Sequence, residues 1–124
     1  MPLPYVSFMV RDYDEAIDWF RRCLGFDLTE DTDLGDKRWV VVEAPGGGKL
    51  LLAKPSSTEQ AQLIGAQYKD RIGFFLHVED FDAAAARMRA EDVVFEEDPR
   101  EEPYGKVAIF RDLYGNRWDL VQPG

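Results

Sequence analysis

Cysteine and histidine occur only once each in this chain of 124 residues, and cations are scarce, 15 Lys and Arg standing against 24 Asp and Glu. The lone cysteine, Cys23, has no disulfide partner. It lies inside an apolar helical pattern between Arg22 and Leu24 and reads as a partly buried thiol rather than a nucleophile. An unpaired cysteine suits a reducing compartment. The N-terminal Met-Pro-Leu-Pro-Tyr carries neither the basic segment nor the apolar core of an export signal, and no run approaches the ~18 apolar residues of a membrane span. A soluble, cytoplasmic protein is expected. The formal charge of −9, with its cations scattered, repels phosphate backbones and anionic lipid. Neither nucleic acid nor membrane is an expected partner.

What is present is a duplication. Phe8-Met-Val-Arg-Asp-Tyr-Asp-Glu-Ala16 returns as Leu76-His-Val-Glu-Asp-Phe-Asp-Ala-Ala84, and a shift of 68 lays Val10, Asp12, Asp14 and Ala16 on Val78, Asp80, Asp82 and Ala84. Each copy reads as an apolar strand, an aspartate that caps a helix, and that helix's first turn. With 45% hydrophobic and 13% aromatic residues, 124 residues suffice for one small domain with a packed core.

In order, the spacing predicts a strand over 5–10, a helix over 12–23 with Asp12 and Glu15 as a capping box, and strands over 26–31, 39–44 and 49–54. Ala16, Trp19, Phe20 and Cys23 make one apolar helical stripe. Gly25 stops the helix, and Pro45-Gly-Gly-Gly48 turns the last hairpin. Residues 55–71 read as a polar connector, the most mobile segment, with a helical turn from Thr58. The second half repeats the plan with a strand over 72–78, a helix over 80–90 and strands over 93–97, 106–111 and 116–122. The expectation is a single α+β domain over 1–124, made of two β-α-β-β-β modules at about 5–54 and 72–122. A constrained loop is expected over Pro99-Arg-Glu-Glu-Pro-Tyr-Gly105.

Alternation along the strands divides the side chains between two faces. Val6, Phe8, Val10, Leu51, Ala53, Ile72, Phe74, Leu76, Val78, Trp118 and Leu120 are expected under the helices. Tyr5, Ser7, Met9, Trp39, Glu43, Leu50, Leu52, Phe75, His77, Phe110, Arg117, Asp119 and Val121 are expected on the other face, a mixture suited to the inside of a cup. A shift of 67 lays turn Gly48 on Gly115 and, on that reading, Leu52 on Asp119.

Val10-Arg-Asp12 leading into Ala16-Ile-Asp-Trp-Phe20, then Leu24-Gly-Phe26, and the terminal Arg111-Asp-Leu-Tyr-Gly-Asn-Arg-Trp-Asp-Leu120 resemble the vicinal oxygen chelate superfamily. That superfamily comprises glyoxalase I, extradiol dioxygenases, fosfomycin-resistance enzymes and bleomycin-resistance proteins. The resemblance implies two modules forming a cupped mixed sheet. In the superfamily's metal enzymes the ligands are histidine or glutamine on the first strand, glutamate on the fourth, histidine on the fifth and a carboxylate on the eighth. The resemblance carries these slots onto Tyr5, Leu52, Gly73 and Asp119, of which Asp119 alone is an ordinary ligand. One histidine cannot supply a two-histidine site, so no metal and no other cofactor is expected.

Two functions follow. One is a binder that holds a cationic or aromatic small molecule between Tyr5, Trp39, Phe75, His77, Phe110 and Asp119, as the bleomycin-resistance branch implies. The other is a small lyase- or dioxygenase-type enzyme that uses a divalent metal, or His77 with Asp119 or Glu43 as acid and base. The residues read equally well as structural: a hydrogen-bonded histidine, arginine-paired carboxylates and aromatics that fill the cup. The apolar part of the open face predicts a homodimer. Whether one chain or two close the cup stays open.

Overall fold

A computed structural model describes every residue from Met1 to Gly124. The chain divides into two compact units, Met1–Ile64 and Gly65–Gly124, and no helix is long and apolar enough to cross a membrane.

The first unit runs β1 (Val6–Met9), α1 (Tyr13–Leu24), β2 (Asp27–Asp33), β3 (Arg38–Glu43), β4 (Lys49–Ala53) and the short α2 (Thr58–Ala61). Helix α1 starts where the extended Asp12 accepts the Glu15 amide at 2.8 Å, which satisfies one of the free donors of the first turn. The Glu15 carboxylate also pairs with Arg11. Gly25, at φ 70°, ends the helix by donating its N–H to the Arg21 carbonyl. The stripe Ala16, Trp19, Phe20 and Cys23 is buried, and Phe20 meets Phe8 edge-on at 5.3 Å and Phe26 at 5.1 Å. Each such aromatic contributes about 1.5–3 kcal/mol on burial, which fixes the helix against its sheet.

That sheet has the order β1-β4-β3-β2, with β1 parallel to β4 and the other pairs antiparallel. Phe8 lies opposite Leu52, which lies opposite Val40, so all three share the side that Phe20 covers. Leu50 and Val42 follow on the same side. Strand β2 carries a bulge between Leu28 and Glu30, which brings Glu30 opposite Val41 on the far side.

The second unit runs β5 (Ile72–His77), α3 (Phe81–Ala90), β6 (Val94–Phe95), β7 (Arg100–Glu102), β8 (Gly105–Arg111) and β9 (Arg117–Pro123). Asp80 caps α3 through the Ala83 amide at 3.1 Å, as Asp12 caps α1. The sheet order is β5-β9-β8-β6 with β7 also on β8, so the parallel first-to-last pairing of the first unit recurs. The core side is an aromatic row: Trp118 stacks on Phe74 at 4.6 Å and on Phe110 at 5.6 Å, and Phe95 continues it. Arg89 of α3 lies 4.4 Å above the Phe95 ring, which marks this as the helix-covered side.

Several expectations need correction. The stretch 99–105 is not a loop: Arg100 and Glu102 pair with Val107 and Gly105, and the turn through Pro103 closes a hairpin. Gly105 is needed there, since at φ 142° a Cβ would lie 2.2 Å from the Gln122 carbonyl oxygen. Leu50 and Leu52 belong to the helix side, at 8% and 1% exposure, while Leu51 and Ala53 face away. The shift of 67 holds at the turn glycines, but Ser7 opposite Leu51 and Phe75 opposite Asp119 show the strands keeping the shift of 68. Phe110, fully buried and opposite Trp118, is likewise on the helix side, whereas the β5 bulge at Gly73 carries Ile72 to the other side, opposite Arg117.

The predicted connector 55–71 is ordered into α2 and a series of turns, with Ser57 capping α2 through the Gln60 amide at 3.1 Å. Tyr68 lays its ring over Gly73, where a Cβ would meet it at 2.2 Å, and meets Phe74 edge-on at 5.4 Å.

Candidate functional site

Each unit leaves one sheet face uncovered by its helix. In the first unit that face carries Tyr5, Trp39, Val41, Glu43 and Leu51, together with Glu30, which the β2 bulge delivers there. Tyr5 meets Trp39 edge-on at 5.9 Å and donates its hydroxyl to Glu30 at 2.6 Å. That hydrogen bond to a carboxylate, followed by burial, raises the phenol above its ordinary range, so Tyr5 stays a donor and not a base. A shallow groove of about 360 Å³ beside it is lined by Leu3, Pro4, Tyr5, Gly48 and Lys49. Glu43 is half-buried at the strand end, between Asp27 and Lys49 in register.

In the second unit the face away from the helix carries Phe75, His77, Asp119 and Val121, with Ile109, Val107 and Arg117 around them; Val107 and Val121 are buried there. Phe75 is 65% exposed and His77 is exposed beside it. Asp119 differs: it is 5% exposed, and its Oδ1 has no hydrogen-bond partner. Burial raises its carboxyl above the usual range; Arg100 and Arg117 pull it back and Glu97 pushes it further up. Both arginines are also bound by other groups. Arg100 binds Glu97 and, at 2.8 Å, Glu102; Arg117 binds Glu96 at 2.9 Å and the Asp70 carbonyl at 2.6 Å.

Tyr5, Trp39 and Glu43 are thus brought together on one sheet, and Phe75, His77 and Asp119 on the other. Phe110 joins neither group. His77 is not bonded to the Asp119 Oδ1 and has no carboxylate to orient it as a base. Sequence reasoning missed Glu30, because the bulge breaks the alternation of β2, and missed Glu97, at the end of a predicted strand, and Arg100, whose segment reads as a loop. A larger groove, about 660 Å³, lies elsewhere in this unit between Arg89, Phe95 and Glu96, and holds none of the predicted residues.

The slots from which this architecture draws metal ligands hold a poor donor set. With the shift of 68, the position matching Asp119 is Leu51 rather than Leu52, and neither has a donor atom. Gly73 offers no side chain, and the space one would enter is filled by the Tyr68 ring. The Tyr5 hydroxyl is engaged by Glu30. No three His, Cys, Asp or Glu side chains converge in a group fit for an ion, so these residues do not fit a resident metal.

The same architecture appears in known proteins. An uncharacterized protein of Shewanella frigidimarina is 48% identical over 122 residues, which is 95% of this chain and 90% of that protein. The crystal structure of UcmS2 superposes with a TM-score of 0.82 at 31% identity, over 98% of this chain and 97% of that one. The structure of TnmS3, an antibiotic binding protein from Streptomyces sp. CB03234, superposes with a TM-score of 0.79 at 28% identity, over 100% and 97% of the two chains. A family model matches residues 3–120, and the chain belongs to the Glyoxalase/Bleomycin resistance protein/Dioxygenase superfamily.

Proposed function

We propose that this protein binds a small organic molecule, aromatic or cationic, on the open sheet faces and performs no chemistry of its own. The carrying observation is the contrast between what those faces offer and what they lack. They present Tyr5, Trp39 and Phe75 as contact surfaces and Asp119 as a carboxyl whose Oδ1 has no hydrogen-bond partner, while Leu51 and the Tyr68-covered Gly73 occupy positions where a metal enzyme of this superfamily would need donors. The antibiotic-binding activity of TnmS3 supports the reading. The charge of −9 favours cationic ligands by steering. Function without a cofactor, in the cytoplasm, is part of the same proposal, as is a homodimer, supported by the exposed Phe75 and by Val94 at 61% exposure.

The test has three arms. Elemental analysis of purified protein is expected to find far less than one equivalent of zinc, nickel, manganese or iron per chain, and a stoichiometric ion would overturn the proposal. A thermal-shift screen of planar aromatic and cationic compounds is expected to yield ligands whose binding weakens by ~1–3 kcal/mol in Trp39→Ala or Phe75→Ala, the scale of a lost aromatic anchor. Unchanged affinity in both variants would assign the aromatics to packing or to a subunit contact. Light scattering at micromolar concentration is expected to give twice the 14.2 kDa chain mass.

A further inference from the structure

Asp119 poses a problem that its own unit does not solve. It lies on β9, a central strand flanked by β5 and β8, so its side chain projects from the middle of the sheet and not from an edge. A buried carboxylate ordinarily collects two or three donors or an arginine. Here Oδ1 has none. The two nearby guanidinium groups are held elsewhere: Arg100 by Glu97 and Glu102, Arg117 by Glu96 and the Asp70 carbonyl. Around Asp119 the charges of Arg100 and Arg117 are offset by Glu97, and each arginine is already paired with a carboxylate of its own. On the neighbouring strand Phe75 stands directly opposite Asp119, 65% exposed. His77 follows on the same face, opposite Val121. A carboxyl whose enclosed Oδ1 has no donor, beside an exposed aromatic ring, forms a two-part receptor, in which the ring takes a flat apolar surface and the carboxylate takes an N–H.

Resting on the small-molecule reading above, we infer that Asp119 and Phe75 form a recognition subsite for a planar ligand bearing a protonated nitrogen, an amidinium or an aryl amine. The ligand's ring stacks on Phe75 and its N–H donates to the Asp119 carboxylate. The subsite discriminates by charge: a neutral isostere leaves the carboxylate uncompensated, and an anion is repelled by Glu97 as well. A resident water, which can donate to Oδ1 but carries no charge and no ring, gives neither form of selectivity.

The experiment uses the full chain with ¹³C-labelled aspartate and three probes of one shape: benzamidinium, benzamide and benzoate. Binding is followed by calorimetry and by the Asp119 side-chain carboxyl resonance. Benzamidinium is expected to bind at least tenfold more tightly than benzamide, with benzoate weakest, and to shift the Asp119 resonance. In Asp119→Asn the preference for benzamidinium is expected to fall below threefold. In Phe75→Ala all probes weaken while the preference persists, which separates the two parts of the subsite. Equal binding of benzamidinium and benzamide, survival of the preference in Asp119→Asn, or an unmoved carboxyl resonance would each overturn the subsite while leaving the small-molecule reading intact. If no probe binds, the subsite is overturned as well, and the Trp39 and Phe75 variants in the compound screen decide separately whether the broader reading falls with it.

Discussion

Trp118 donates its indole N–H to Asp112 at 2.8 Å, a buried bond that ties the aromatic row of the second sheet to the turn between β8 and β9. Asp112 also accepts the Tyr114 and Asn116 amides and the Asn116 side chain. One carboxylate thus organises the turn and orients a core tryptophan.

Replacing Asp112 with alanine would strand those donors in a buried place, at a cost of about 3 kcal/mol of stability. Asp112→Asn is expected to cost roughly half as much, because its amide oxygen still accepts but its NH₂ faces other donors. Urea unfolding of the variants checks the order, and a stable Asp112→Ala would refute it.

Asp119 predicts a pH dependence of definite sign. Burial raises the carboxyl in the folded protein, so the folded state holds this proton at pH values where the unfolded chain has released it. The contribution to stability is fully present below the unfolded value, ~3.9, and is lost as pH rises through the raised folded value. Asp119→Asn should therefore be more stable than the parent by roughly 1 kcal/mol at pH 7, with the gain shrinking toward pH 4. Asp112, also raised chiefly by burial, contributes a slope of the same sign in both proteins and drops out of the difference. Melting both proteins from pH 4 to 7 tests this; a gain that grows on acidification would reverse the assignment.

The Tyr68–Gly73 contact gives a paired test. Gly73→Ala is expected to destabilise by about 2 kcal/mol, because a ring 2.2 Å from the new Cβ must shift, and the penalty should shrink in a Tyr68→Ala background. Additive effects would show that the ring does not fill the slot.

Adjacent leucines on β4 should behave unequally. Leu52→Ala removes a side chain 1% exposed between Phe8 and Val40 and should cost about 3 kcal/mol; Leu51→Ala, half-buried on the open face, should cost about 1. Equal losses would contradict the register.

That register is also where sequence reasoning reached its limit. The duplication, the capping aspartates and the two β-α-β-β-β modules were legible because each rests on local chemistry: Asp12 and Asp80 cap helices in the same way, and Gly25 ends one. Tyr5, Trp39, Phe75, His77 and Asp119 kept their expected face because unbroken alternation carries it. Leu50, Leu52 and Phe110 did not, since a face inverts with a one-residue offset, and the turn glycines are offset by 67 where the strands are offset by 68. The bulges at Thr29 and Gly73 leave no signature that period-2 reading detects, and β7 hides behind two prolines.

The parallel pairings have a bearing on synthesis. Val6 must find Leu50, 44 positions away, and Ile72 must find Arg117, 45 away, so each sheet closes a loop of nearly equal entropy. The last strand of the first sheet ends at Ala53, when at least 71 residues (124 − 53 = 71) remain to be translated. At ~5–20 residues per second that interval lasts several seconds, far longer than a small sheet needs to form once it has left the ribosome. The first repeat can be standing while its twin is still being made, which keeps two similar strand-helix segments from competing for each other's places in the sheets.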